Sequence, residues 1–217
     1  FDTLLQLPLF QGLAQEDFTR ILEKVKLYFT KYKPGELLLK EGGAVMNCLV
    51  LKGEIASSTS SADSSYCFTE YFPAPFLIEA HSIFGMKTHY ASTYRARTEV
   101  HTVSISKAFV VKELFNYEIF RLNYMNIISN RTQMLHNRLW AVFGNSPESR
   151  IIHFILSHTE RLSGEKNIEN KKWRIWLKSS TKPEQECQKP SILCKQKGLV
   201  ELHRGEIILP NVENLIN

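Results

Sequence analysis

Seven histidines and four cysteines are the residues of this 217-residue chain best suited to metal or nucleophile chemistry, and their spacing supports neither. The histidines (His81, His89, His101, His136, His153, His158, His203) are scattered. They offer no close His-x-His with a carboxylate, the set a small β-barrel would need to hold a metal. Cys48, Cys67, Cys187 and Cys194 contain no CxxC pair. They read as reduced thiols, not as a disulfide frame or a zinc or iron–sulfur site. There is no P-loop, no glycine-rich dinucleotide fingerprint and no locally supported Ser/His/Asp grouping. The sequence therefore predicts no enzyme, no metal and no cofactor. Charge is the chemistry that stands out. Between Lys171 and Gly205 nine Lys/Arg face three acids, in a chain whose formal net charge is +5. A basic C-terminal third suits a polyanion partner. On charge alone, a solvated basic face fits as well.

The elements that would position such a patch follow from periodicity. A hydrophobic fraction of 43% and a charged fraction of 23% are those of a soluble globular protein. No run approaches the roughly 18–20 apolar residues of a membrane span. No signal peptide is visible, so a cytoplasmic location is expected. Leu7 to Leu13 is an apolar turn, and Gln15 to Lys24 a short amphipathic helix. Short strands are predicted around Val25–Tyr32, Leu37–Leu39, Cys48–Leu51, Tyr66–Tyr71, Phe76–Glu79 and Thr98–Ile105, with Ser57–Ser65 as a polar hairpin loop. Short strands at close spacing with turn signals indicate a β-sandwich or barrel.

The stretch from Lys107 to Phe143 has no Gly and no Pro. Ser106 can cap a short helix from Lys107, and Asn116 suits a break. A long helix then runs toward Gly144. Met125, Ile128, Thr132, Leu135, Leu139 and Val142 recur in three- and four-residue steps, the spacing of a coiled-coil seam. Phe120, Tyr124, Ile127 and Met134 form a second apolar set. One set can pack on its own domain and the other on a second subunit; a helix buried wholly in one core is the other reading. Ser146 and Pro147 open the next helix, which is expected to reach Leu162. Leu199–His203 and Glu206–Leu209 flank Arg204-Gly205 as a β-hairpin.

Taken in order, these parts resemble the Crp/Fnr family of bacterial transcription regulators over nearly the whole length. The matching residues are LPLFQGL (Leu7–Leu13), KPGELLLKEGG (Lys33–Gly43), LVLKGEI (Leu49–Ile55), SIFGM (Ser82–Met86) and YRARTEVHTVSIS (Tyr94–Ser106). The resemblance implies an α+β fold with three parts. These are a jelly-roll-like β-roll sensor domain over residues 1–106, connecting and dimerisation helices over 107–144, and a winged helix-turn-helix over 145–217. It implies a homodimer on the seam named above and a pseudo-palindromic double-stranded DNA operator. RNA polymerase and an unidentified small-molecule effector are the further partners it allows. Lys197, His203 and Arg204 would contact DNA from the end of the helix-turn-helix and the wing. Gly85, Met86, Arg95 and Arg97 would lie nearest an effector pocket.

Two departures are visible. Cyclic-nucleotide-binding members of the family carry a Gly-Glu pair for ribose and an Arg-Ser/Thr pair some ten residues later for phosphate. Here Met86 follows Gly85, and Tyr90-Ala91 stands where Arg-Ser would be, so cAMP is not the expected effector. The second departure lies between Lys172 and Gly198, where two amphipathic helices are expected. The sequence there is KWRIWLKSSTKPEQECQKPSILCKQK, with Pro183 and Pro190 and no helical period. A proline inside a recognition helix costs about 3 kcal/mol or more. Reading the last base of each codon with the first two of the next permits MEDLAKIIDKTRTGMSETLNSMQAK, which restores a helix, a turn and a second helix. The expectation is a pair of one-base slips near Lys172 and Lys197. Sequencing the coding DNA checks it, since a gene lacking both slips cannot encode the restored string.

Overall fold

The computed structural model describes residues 2–25, 27–140, 147–170, 200–203 and 205–215. Antiparallel sheets and helices give an α+β architecture. The chain divides into two compact units, Phe1–Ala56 with Phe72–Met134, and Ser57–Tyr71 with Leu135–Asn217.

The first unit begins with helices α1 (Asp2–Leu5) and α2 (Gln15–Lys24). Strands β1 (Tyr28–Tyr32), β2 (Leu37–Leu39), β3 (Asn47–Lys52), β4 (Glu54–Ser60), β5 (Tyr66–Pro73), β6 (Phe76–Ile78), β7 (Thr93–Ala96) and β8 (Val100–Ile105) follow, of which Ser57–Ser60 of β4 and Tyr66–Tyr71 of β5 belong to the second unit. One sheet runs β1-β8-β3-β6; in the other, β4 lies between β5 and β7, and β2 flanks β7. The turn between β3 and β4 depends on Gly53. It sits at φ 92°, and a Cβ there would lie 2.2 Å from the Glu99 carbonyl oxygen, so no other residue fits.

Apolar side chains divide between two buried clusters. Leu38, Val50, Ile55, Phe72, Ile78, Tyr94 and Val100 fill one. Leu7, Phe10, Phe18, Leu49, Val103 and Leu114 fill the other, which α2 and the following helices close. Ser106 caps α3 (Lys107–Lys112): its hydroxyl accepts from the Phe109 amide at 3.2 Å. The expected break occurs as a 3-10 turn, Leu114–Asn116. Asn116 Nδ2 donates to the Lys112 carbonyl at 2.7 Å, and Tyr117 is extended. Helix α4 (Glu118–Trp140) starts after it.

The second unit holds α5 (Pro147–His158), β9 (Lys166–Asn170), β10 (Glu201–His203), β11 (Glu206–Leu209) and a 3-10 turn, Val212–Leu215. Strand β9 pairs with β5 on one side, placing Ile168 opposite Phe68, and with β11 on the other, placing Ile168 opposite Ile207. Phe68, Ile155, Leu156, Ile168, Val200, Ile207, Leu209 and Val212 form its core.

Three features differ from the sequence expectation, each for a local reason. The compact units are not contiguous in sequence, because β9 recruits Tyr66–Glu70 as its partner strand. Ser57–Ser60 is strand and not loop: Ser57 is buried and Ser58 Oγ meets Thr69 Oγ1 at 2.9 Å. Helix α5 stops at His158 and not at Leu162, because the Glu70 carboxylate takes the Glu160 amide at 2.9 Å and the Arg161 amide at 3.3 Å.

Glu70 also lies 3.6 Å from the Lys166 ammonium, which is fully buried and donates to the Ser163 carbonyl at 2.9 Å. Burial pushes the Glu70 carboxyl up and the Lys166 ammonium down, so each charged form depends on the other and on these amides. Removing one partner of a buried pair strands the other charge. Glu70→Ala is therefore expected to cost about 3 kcal/mol or more, read as a lower urea midpoint at unchanged slope.

Candidate functional site

The segment between β6 and β7 carries a site built on one carboxylate. Glu79 is 4% exposed and adopts a left-handed backbone, φ 40° and ψ 52°. A non-glycine residue held there costs on the order of 1 kcal/mol and persists only where its surroundings demand it. Its carboxylate accepts from Ser82 Oγ at 2.8 Å and from the Ala91 amide at 3.0 Å. It also accepts from the Ser92 amide and from Tyr94 Oη, each at 3.1 Å. Two successive backbone amides with two hydroxyls make a concave anion-binding arrangement.

The neighbouring positions are also taken up by the chain itself. Tyr90 is buried in the cluster that holds Tyr94, their rings 6.4 Å apart and edge to face. Its hydroxyl donates to the Met46 carbonyl at 2.9 Å and accepts from the Met46 amide at 3.0 Å. Burial pushes the Tyr90 phenol up to about 12. Of the four effector-pocket residues, Gly85 and Met86 lie in a surface turn, and Met86 is wholly exposed. Arg95 and Arg97 are exposed and take separate partners, the Gly35 carbonyl at 3.3 Å and the Glu54 carboxylate at 3.2 Å.

Sequence reasoning missed Glu79. The signal was spacing: Ala91 comes 12 residues after Glu79, close to the interval between the family's acidic and phosphate-binding pairs, whereas Gly85-Met86 lies too near.

Helix α4 carries its apolar residues on two sides. Phe120 and Tyr124 are buried in the first unit, with Ile127 and Ile128 packed against the same cluster, so Ile128, expected in the dimer seam, is half-buried on its own core instead. Tyr124 Oη donates to the Ala80 carbonyl, and burial pushes its phenol up to about 12. Phe84 and Phe115 ring it at 5.5 and 5.9 Å. The long helix is thus bonded to the residue next to Glu79. Met125 points away from the cluster and is 54% exposed, and farther along the helix Leu135 is 37% and Leu139 64% exposed. Thr132 is exposed too, its hydroxyl donating to the Ile128 carbonyl at 2.9 Å. Val142 lies outside the described residues.

The C-terminal hairpin forms as expected, with His203 paired to Glu206 across it. His203 is exposed, its Nε2 3.8 Å from the Glu201 carboxylate. Lys197 and Arg204 lie outside the described residues, as does the whole of 171–199. The second unit also has a cavity of about 240 Å³, lined by Ser57, Thr59, Ser61, Tyr66, Glu70 and His158 among others. Tyr66 Oη and His158 Nε2 already meet there at 3.0 Å. Among the described residues no group of three or more His, Cys, Asp or Glu could hold a metal, and no helix is long and apolar enough to cross a membrane.

No protein-family model and no curated protein matches the chain. Solved structures do. The sensor domain of the transcriptional regulator DNR from Pseudomonas aeruginosa superposes with a TM-score of 0.53 at 15% identity, covering 67% of this chain and 94% of that one. Catabolite activator protein from Thermus thermophilus gives 0.51 at 12% identity and covers 97% of both chains. The N-terminal domain of a transcriptional regulator from Streptomyces coelicolor A3(2) gives 0.51 at 19% identity, covering 67% of this chain and all of that one. At these identities the likeness is one of fold, and the chain has the β-roll fold of transcriptional regulators that its resemblance to the Crp/Fnr family implies.

Proposed function

We propose that the chain is a homodimeric, DNA-binding transcription regulator in which α4 is both the dimer axis and the link from the β-roll to the reading head. The observation that carries this is that α4 buries its first turns in the first unit and leaves other apolar residues along its length in solvent. Phe120 and Tyr124 hold it to its own unit, while Met125, Leu135 and Leu139 stand in solvent. Exposed apolar residues at coiled-coil spacing are matched by a symmetry mate in register. Two such chains would present recognition elements to successive major grooves about 34–36 Å apart. The basic residues would hold phosphates with steep salt dependence. His203 and Arg204 would touch backbone or minor groove.

A second reading keeps the dimer but gives it a β-roll that binds a ligand or partner and a DNA-binding domain that no longer works. The prolines at 183 and 190 favour it if the polypeptide is made as written.

Placing Asp at both Leu135 and Leu139 is expected to convert the dimer to monomer in analytical ultracentrifugation. Operator binding in a gel shift should fall at least tenfold, because one half-site alone loses the avidity of two. A double variant that stays dimeric would remove α4 as the dimer axis. A wild-type chain that is dimeric but does not shift the operator would select the second reading.

A further inference from the structure

Buried carboxylates are normally neutralised by a cation. The hydrogen bonds to Glu79 come instead from neutral donors, two successive amides, Ala91 and Ser92, and two hydroxyls, Ser82 and Tyr94, while His81 is coupled to it only through space. All four distances lie between 2.8 and 3.1 Å, and Ser82, Ser92 and Tyr94 are themselves buried. Neutral N–H and O–H dipoles converging on one point bind an oxyanion of any parentage, whether a carboxylate or a phosphate. The chain supplies that oxyanion from only 12 residues upstream of Ala91, through a residue kept in the left-handed region.

We propose that Ser82, Ala91, Ser92 and Tyr94 form an oxyanion-binding cage whose resident ligand is the chain's own Glu79 carboxylate, so that the β-roll is ordered without an external effector. Tyr90 closes the adjoining space, its ring in the core and its hydroxyl on Met46. The cage is joined to the dimer helix through one hydrogen bond, Tyr124 Oη to the Ala80 carbonyl, so whatever fills the cage also sets the residue that α4 is bonded to. This goes beyond the regulator reading and does not depend on DNA binding. It states that the site where the fold could take an anionic ligand is already filled from within.

The test is anion rescue in the full-length chain. Glu79→Ala empties the cage, while Glu79→Gln keeps a side chain in it. Thermal unfolding is followed in sodium chloride, acetate and phosphate at matched ionic strength. For Glu79→Ala, acetate or phosphate is expected to raise the midpoint saturably above the chloride value. Wild type and Glu79→Gln should respond equally to all three salts. If Glu79→Ala is recovered unfolded in chloride, refolding it in acetate or phosphate becomes the readout, and recovery of native circular dichroism supports the cage. No anion-specific gain for Glu79→Ala, by midpoint or by refolding, overturns the proposal, as does an equal gain in wild type. Sedimentation of the same samples reports the dimer independently, so loss of the dimer reading and loss of the cage are separate results.

Discussion

A carboxylate taken out of water must be given donors, and satisfying Glu79 fixes the conformation of everything from β6 to β7. The donors come from three places along that segment: the 3-10 turn at Ser82, the Ala91–Ser92 amides, and Tyr94 in β7. Charged hydrogen bonds of this kind each contribute about 1.5–3 kcal/mol, and a buried donor left without its acceptor costs a comparable amount. That is enough to hold Glu79 in a backbone region that non-glycine residues avoid. It also sets where β7 begins and where the Ala80 carbonyl points. Tyr124 takes that carbonyl, so the segment ordered by Glu79 is tied to α4, whose rotation Phe120, Ile127 and Ile128 also set by packing on the same cluster.

With α4 held by Phe120, Tyr124, Ile127 and Ile128, some of its apolar residues still stay outside the cluster. Phe120 and Tyr124 recur at four-residue spacing and share a face. Met125 falls on another side of the cylinder, Leu139 lies beyond the cluster along the helix, and both stay exposed. Burying apolar surface returns about 25 cal/mol per Å², so a seam of side chains left in water is a standing drive toward association. The resulting molecule has one helix with two attachments. One is internal and specified by a hydrogen bond within an aromatic ring of Phe84 and Phe115. The other, in the proposed dimer, would be external and specified by heptad spacing.

Six of the strands β1–β8 were legible as short apolar stretches with turn residues at their ends, whereas β4 and β7 were not expected. The capped start of α3 and the break at Asn116 were legible because both are local chemistry of Ser and Asn. What was not legible was mostly long-range. Nothing in Tyr66–Glu70 announces that it will pair with Lys166–Asn170, because pairing partners a hundred residues apart leave no mark on local periodicity. Ser57–Ser60 was hidden by composition, since Ser and Thr favour turns unless a cross-strand hydroxyl such as that of Thr69 is there to meet them. Glu79 was hidden for a different reason. Glycine is a conspicuous marker and Gly85 drew attention to the wrong turn, whereas a buried acid is identified only when its donors are seen.

The consequence of an internal ligand can be put in terms of competition. A group tethered close to its site acts at an effective concentration on the order of millimolar or higher. A diffusing anion must exceed that advantage before it displaces the tethered one. Its apparent affinity is lowered by the fraction of time the cage is free. Small oxyanions at cellular concentrations therefore leave such a cage closed, and only a ligand with additional contacts of its own could open it. Tyr90, buried against Tyr94 and bonded to Met46, removes space in which such contacts would be made. The same acidic side chain that orders the segment thus also argues against a cyclic nucleotide there. It does so in a different way from the missing arginine, because in the proposed cage the donors an oxyanion would use are already taken.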